Sequence, residues 1–247
     1  MARFEGGREE PCDLLVGADG PGSTVRQQLL PSVRSEYAGY VAWRGVVMEH
    51  QAPDLAAEFA DRFTFFQAPH THLLCYLIPG PDGSLHSGQR RLNWVWYLNA
   101  ALGDDLERVL TDKDGRRREF SVPQGKVAPD MLGWLHDQAQ RTLPPLFLRL
   151  VMATQEPFVQ TIHDLAVPKM AFGRVCLTGD AAFVPRPHTA ASTAKAAANA
   201  LALADCLTVT GSDVEEALRR WEPDQTKLGE RLRDYGQRLG NRSQFDK

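Results

Sequence analysis

The sequence predicts an α/β fold in which two strand–turn–helix units bracket an inserted block dense in β-formers. Two observations carry this expectation. The apolar run Leu14–Val16 enters the turn Gly17-Ala18-Asp19-Gly20-Pro21-Gly22, and a second apolar run ending at Leu177 enters another Gly-Asp turn at Gly179-Asp180. Between them, residues 35–127 hold several runs of β-branched and aromatic residues separated by Gly/Pro loops.

Each element follows from its own pattern. Residues 12–17 read as a buried strand, and Ser23 caps a short helix through Leu30. YAGYVAWRGVVM, residues 37–48, reads as a long strand, and 53–60 as a short helix opened by proline. RFTFFQ and THLLCYLIP flank APH as a hairpin, 79–89 is a loop, and 91–99 is another strand. Residues 129–153 carry helical spacing broken by Pro144 and Pro145. Residues 156–165 and 173–178 read as strands, 189–207 as an alanine-rich helix, and 213–238 as a charged helix interrupted at Pro223. The expected organisation is 1–34, 35–164 and 165–247, with the first and last parts together in space.

A length of 247 residues suffices for one large domain or two small ones. A net charge of −3 gives no pull toward nucleic acid or an anionic membrane. No apolar run approaches the roughly 18 residues of a membrane span, so no membrane partner is expected. Arg116–Arg118 follows Asp112, Asp114 and Gly115 and reads as a solvated hairpin turn. Cys12, Cys75, Cys176 and Cys206 follow no metal spacing and read as buried reduced thiols. The charged start, residues 1–12, lacks an apolar signal core, so a cytoplasmic protein is expected.

The two turns carry the chemistry. Gly17, Gly20 and Gly22 permit positive φ and close approach of a ligand, and Asp19 accepts from ligand hydroxyls or caps the following helix. A solvent-facing turn is the equal alternative. In the second turn, a strand delivers Asp180 to the mouth of a crevice. Free N–H groups at the start of the Thr189 helix favour an anion, and Ala190, Ala191 and Ser192 let a flat ligand lie close. The alternative is a helix start packed on the sheet.

Taken together, the turns resemble two flavin motifs of the FAD-dependent aromatic hydroxylases, the para-hydroxybenzoate hydroxylase-like flavoprotein monooxygenases. The first matches at Gly17, Ala18, Asp19, Gly20, Ser23 and Arg26, and the second at Gly179, Asp180, Ala181 and Ala182. YAGYVAWRGVV, RRLNWVWY and RPHTAASTAKAA look most like the 2,6-dihydroxypyridine 3-monooxygenase branch. The resemblance implies an FAD-binding Rossmann-like domain, incomplete here, with an inserted, mainly β substrate sheet and C-terminal helices. It implies cofactor contacts at Asp19, Gly20, Arg26, Gly179, Asp180, Ala181, Pro187, Ala190, Ala191 and Ser192, with Asp180 on the ribityl chain. The Asp19 turn would also shape the path for NAD(P)H, the co-substrate. Flavin chemistry needs no protein nucleophile and no metal, so no catalytic side chain is expected. Partners are a small aromatic substrate and, as a permitted assembly, a second copy in a homodimer.

The sequence departs from the family pattern at three places. The family opens with a G-x-G-x-x-G loop that holds the ADP half of FAD, and these residues contain none. The chain alone is therefore expected to bind FAD weakly and to present an unpaired apolar strand edge. Phe183 stands where many relatives have histidine, and Ser192 where the branch pattern ends in glycine.

Further residues carry open alternatives. Arg44 binds an anionic or enolate substrate, or forms a structural ion pair. Tyr40 and Tyr97 donate to a substrate hydroxyl, and His188 touches substrate or flavin or faces solvent. Trp43, Trp94 and Trp96 read as sheet-packing aromatics. His70 and His72, two apart on one strand face, lack a third ligand for a metal. The expected function is FAD- and NAD(P)H-dependent hydroxylation of an aromatic or N-heteroaromatic ring by O2. The alternatives are a non-catalytic remnant or binding module, and another flavin oxidoreductase of the same fold.

Overall fold

The computed structural model describes residues 1–246. In chain order the strands and helices are β1 (Ala2–Arg3), β2 (Glu9–Glu10), β3 (Leu15–Gly17), α1 (Thr24–Leu29), β4 (Glu36–Met48), α2 (Pro53–Phe59), β5 (Thr64–Ala68), β6 (Thr71–Ile78), β7 (Arg91–Asn99), α3 (Asp104–Leu110), β8 (Ser121–Val122), α4 (Pro129–Thr142), α5 (Pro145–Met152), β9 (Phe158–Ala166), β10 (Ala171–Phe172), β11 (Val175–Leu177), β12 (Phe183–Val184), α6 (Ser192–Thr210) and α7 (Val214–Phe245). They form two units: Met1–Tyr37 with His163–Asn241, and Ala38–Ile162 with the chain from Arg242 on. The fold is mixed α/β, and no helix among the described residues is long and apolar enough to cross a membrane.

The second unit is built on a sheet in the order β9-β4-β7-β6-β5, with β8 beside β9. Strand alternation sorts its side chains. Trp43 pairs Trp96 across β4 and β7, Trp94 faces Cys75 across β7 and β6, and all three tryptophans are fully buried. Trp94 donates its indole N–H to Thr154 Oγ1 at 2.8 Å, and Trp96 donates to Thr71 Oγ1 at 2.6 Å. Gly45 makes room for the first of these rings, because a Cβ there would lie 2.5 Å from the Trp94 indole. The tryptophans are sheet-packing residues, as the sequence suggests. The opposite face carries Tyr40, Ala42, Val95, Tyr97 and Ile162, with Phe245 packed against them.

The first unit holds a smaller sheet, β10-β11-β3, in which β11 and β3 run parallel. Its core joins Met170, Cys176, Leu177, Phe183, Leu218 and Trp221. At the end of β9, Leu165 and Ala166 pair with β12.

Several expectations need correction. The strand at 12–17 shrinks to Leu15–Gly17 and is not buried on both faces: it is the edge of its sheet, and Val16 is 41% exposed. Cys12 is exposed and Cys206 half-buried, so only Cys75 and Cys176 are the buried thiols expected, each pushed up to about 12 by burial. Pro223 does not interrupt α7. It lies on the exposed side of the helix, where water can take the carbonyl that its missing N–H leaves free. The alanine helix starts at Ser192, because Pro187–Thr189 forms a 3-10 turn and Ala190 adopts a left-handed φ of 50°. His70 occupies the β5–β6 turn at φ 60°, so it does not share a strand face with His72. The Arg116–Arg118 run is a turn as read, held by buried Asp112, whose Oδ1 accepts the N–H groups of Asp114 and Arg116.

A buried ion pair organises the loop before β7. Glu49 is 6% exposed and takes the Arg90 guanidinium through both carboxylate oxygens, at 2.8 and 3.1 Å. It also accepts the backbone N–H of Gly88. These bonds, Arg90's first, hold the carboxyl below its ordinary 4.5 despite burial. A carboxyl depressed on folding contributes stability above its unfolded value that is lost as pH falls through the folded one. The Glu49→Gln variant is therefore expected to be less stable at pH 7 by about 1.5–3 kcal/mol, with a shallower loss of stability below pH 4.5. Urea melts across pH 3–7 check this, and parallel pH curves for the two proteins would refute it.

Candidate functional site

The candidate site lies in the first unit, where parallel pairing joins two distant segments. Leu15, Val16 and Gly17 align with Val175, Cys176 and Leu177, and the Thr178 N–H donates to the Gly17 carbonyl at 3.0 Å. The Asp19 and Asp180 turns thus leave the sheet side by side at the carboxyl ends of their strands, where ligands bind in open α/β sheets. Gly17 permits the pairing, since a Cβ there would sit 2.9 Å from Leu177 Cδ2.

The first turn is a capping device. Asp19 accepts from the Ser23 hydroxyl at 2.5 Å and the Val25 N–H at 3.1 Å, and Ser23 Oγ accepts the Arg26 N–H. Burial pushes the Asp19 carboxyl up, but the Ser23 hydroxyl and these N–H groups more than offset it and hold it below 3.8. Asp19 thus forms the helix cap that the sequence allows. Gly20 takes a φ of 75°, and a Cβ at Gly20 or Gly22 would meet no atom within 4 Å. Arg26, 5% exposed, bridges the turns: Nη1 donates to the Ala181 carbonyl at 2.9 Å and Nη2 to the Pro21 carbonyl at 2.6 Å. Its buried Nε has no partner.

The second turn is gripped from α6. Gly179 adopts a φ of 61°, and its N–H donates to Asn199 Oδ1 at 3.0 Å. Lys195, 2% exposed, donates to Asp180 Oδ1 at 2.9 Å and to the Phe183 carbonyl. Burial lowers the Lys195 ammonium below its ordinary value, and Asp180 acts in the opposite direction. The Asp180 side chain remains 36% exposed, and Ala181 is fully buried.

A loop then leads to α6. Arg186 lies between two prolines and is held by Asp164, with Nε 3.0 Å from Oδ1 and Nη2 2.8 Å from Oδ2. Both residues are 6% exposed. From α7, Asn241 Oδ1 accepts from Arg186 Nη1, and Gln237 donates to Asp164. Pro187 and Ala190 are exposed, Ala191, Ser192 and His188 half-buried. No side chain caps α6, whose N-cap is Ala191.

The candidate substrate residues lie in the second unit. Arg44 is half-buried. Its Nη1 donates to Gln160 Oε1 at 3.1 Å, its guanidinium lies 5.5 Å from the Phe158 ring centroid, and its buried Nε has no partner. No carboxylate among the described residues pairs with it, so the structural ion pair is not formed. Tyr40 is 0% and Tyr97 3% exposed, both packed in the sheet face, and burial pushes the Tyr97 phenol up. The described residues contain no cluster of three or more His, Cys, Asp or Glu that could hold a metal.

Comparison with known proteins gives the family of the chain. A family model described as FAD binding domain-like matches residues 37–164, about half of the chain. The chain belongs to the FAD binding domain-like family. It is 37% identical over 243 residues to 2,6-dihydroxypyridine 3-monooxygenase of Paenarthrobacter nicotinovorans, covering 98% of this chain and 60% of that enzyme. It is 30% identical over 218 residues to salicylate hydroxylase of Pseudomonas putida, covering 85% of this chain and 46% of that one. A solved structure of 2,6-dihydroxypyridine-3-hydroxylase from Arthrobacter nicotinovorans superposes with a TM-score of 0.90 at 37% identity, over 99% of this chain and 61% of that one. The chain thus spans less than two thirds of each of these proteins. The stretch matched to the FAD binding domain-like family is the sheet block, and both Gly-Asp turns lie outside it.

Sequence reasoning missed Lys195, Asn199, Asp164 and Arg186. It also left Phe183 without a role. That ring is buried against α7, where a Cβ on Gly229 would fall 2.3 Å from its Cδ2. A second α7 glycine, Gly236, abuts the Arg186 backbone: a Cβ there would lie 2.9 Å from its nitrogen. Replacing a helical glycine by alanine ordinarily stabilises by up to about 1 kcal/mol. Gly229→Ala is expected instead to destabilise by roughly 1–3 kcal/mol through overpacking, while Gly133→Ala, at an exposed position of α4 with nothing within 4 Å, should stabilise. Denaturant melts of both variants check the sign, and a more stable Gly229→Ala protein would contradict the packing described.

Proposed function

We propose that this chain serves FAD-dependent hydroxylation of an aromatic or N-heteroaromatic ring, of the dihydroxypyridine class, with NAD(P)H as reductant and O2 as oxidant. One oxygen atom enters the ring as hydroxyl, the other leaves as water, and NAD(P)H supplies the two electrons. The observation that carries this reading is the pairing of β3 with β11, which sets the Asp19 and Asp180 turns side by side under one bridging arginine. The relatives at 37% and 30% identity, a dihydroxypyridine and a salicylate hydroxylase by name, support the reaction class.

The residues present fit FAD. The Asp180 carboxylate is partly exposed, the backbone at Gly20 and Gly22 opens onto free space, and the start of α6 has no side-chain cap. FAD, when bound, supplies the electron transfer and the oxygen activation. In this reading Asp180 would accept a hydrogen bond from a ribityl hydroxyl, and the first N–H groups of α6 would favour negative charge on the cofactor. The stretch from Pro187 to Ala190, exposed at its two ends, precedes them in the chain. Asp19 and Arg26 act indirectly, by fixing the first turn and tying it to the second.

Arg44 is the group for the substrate. A guanidinium with a buried, partnerless Nε–H and no carboxylate neighbour suits an anionic or enolate ring oxygen. Tyr40 and Tyr97, buried beside it, shape the sheet face. A cytoplasmic setting accords with the buried thiols Cys75 and Cys176.

Two measurements test the proposal. Titration of the purified protein with FAD, followed by flavin fluorescence, should give a Kd that rises roughly ten- to hundredfold in Asp180→Asn, the scale of a charge-assisted hydrogen bond. Arg44→Gln should leave that Kd unchanged and weaken binding of 2,6-dihydroxypyridine at least about tenfold, the cost of one charged contact. Equal FAD affinity in wild type and Asp180→Asn would refute the cofactor assignment. Unchanged ligand affinity in Arg44→Gln would refute the substrate assignment.

A further inference from the structure

We propose that Lys195 is the positioning residue of the Gly-Asp turn: it pins one carboxylate oxygen of Asp180, so that the other is presented to a ligand hydroxyl. The proposal rests on the reading of Asp180 as the hydroxyl acceptor and names the residue that makes it one.

Lys195 stands in the first turn of α6, in a stretch otherwise dominated by small side chains. A buried ammonium is costly unless its protons are taken. Here two are: Asp180 Oδ1 takes one at 2.9 Å and the Phe183 carbonyl another. The lysine thus spans the turn, from its aspartate to the residue that starts β12. No group among the described residues donates to Asp180 Oδ2, and the side chain keeps 36% of its surface exposed.

Asn199 separates the two jobs at this turn. It lies one helical turn further along the same face of α6, 2% exposed, and takes the Gly179 N–H on Oδ1 while its amide donates to Gln225 Oε1 at 2.9 Å. Arg26 holds the Ala181 carbonyl. The backbone on either side of Asp180 is therefore anchored by other side chains. What Lys195 adds is a fixed charge against one oxygen of the carboxylate and a bond to the Phe183 carbonyl that closes the turn behind it.

A double-mutant cycle tests the assignment. Lys195→Met keeps the length and apolar body of the side chain in its buried slot and removes the ammonium. Its FAD Kd is expected to rise about tenfold. Adding Lys195→Met to Asp180→Asn should change the Kd by less than about twofold, because the lysine acts through the aspartate. Losses that add in the double variant would overturn the proposal, as would wild-type affinity in Lys195→Met. Hydrogen exchange gives a readout independent of FAD. The Ala181 and Ala182 amides, bonded to Thr178 and Gly179, should exchange faster in Lys195→Met, with β7 amides unchanged. Equal exchange at the turn would overturn the positioning role. If wild-type protein shows no FAD affinity, the functional reading falls, and the exchange result still decides whether Lys195 positions the turn.

Discussion

The pairing of β3 with β11 is the constraint on which the candidate site depends. It is short, parallel and stabilised by little besides its ladder bonds and the packing of Leu177 and Val25 against Gly17. A shift by one residue would turn Val16 from its exposed face toward the core and separate the two aspartates. Arg26 locks the register from above by holding carbonyls of both turns at once. Residues more than 150 positions apart in sequence are thus fixed relative to each other by one guanidinium.

Around this pairing the first unit buries three cations, Arg26, Arg186 and Lys195, each at 6% exposure or less. Their partners differ in kind. Arg186 has a buried carboxylate and is neutralised in place by Asp164. Arg26 has backbone carbonyls and keeps one N–H unused. Lys195 has an aspartate that is still open to solvent. Burial without full pairing is expensive, and such groups concentrate where a protein meets charged or hydroxylated ligands. From Arg186, before α6, to Lys195, in its first turn, the partner carboxylate passes from buried to open to solvent.

The sequence disclosed the fold class because two strand–turn–helix units bracket a block dense in β-formers. The strands β4 to β7 stand out through β-branched and aromatic runs, and the Gly-Asp turns through glycine spacing. An unpaired edge was expected, but which strand would carry it was hidden: nothing in CDLLVG distinguishes a buried strand from one with Val16 open to water, because that depends on what lies alongside. Pro223 misled for a related reason, as propensity ignores which side of a helix faces solvent. The site was legible only at its glycines and aspartates. Lys195 and Asn199 had a signal that could have been used: two polar residues four apart in an alanine-rich helix are either exposed or paired inside. Asp164 and Arg186 had none, since their pairing depends on the tertiary crossing of β9, a loop and α7.

The two α7 glycines have a consequence for how this chain can vary. Gly229 and Gly236 are two turns apart and form a shallow trough in which the Phe183 ring and the Arg186 backbone lie. The trough leaves no slack, so the side chains at 183 and 229 are coupled by packing. A side chain grows at 229 at less cost where the ring at 183 has already shrunk, and the reverse order passes through an overpacked, less stable protein. A smaller residue after the Gly-Asp-Ala-Ala stretch would relieve the glycine requirement in the long helix.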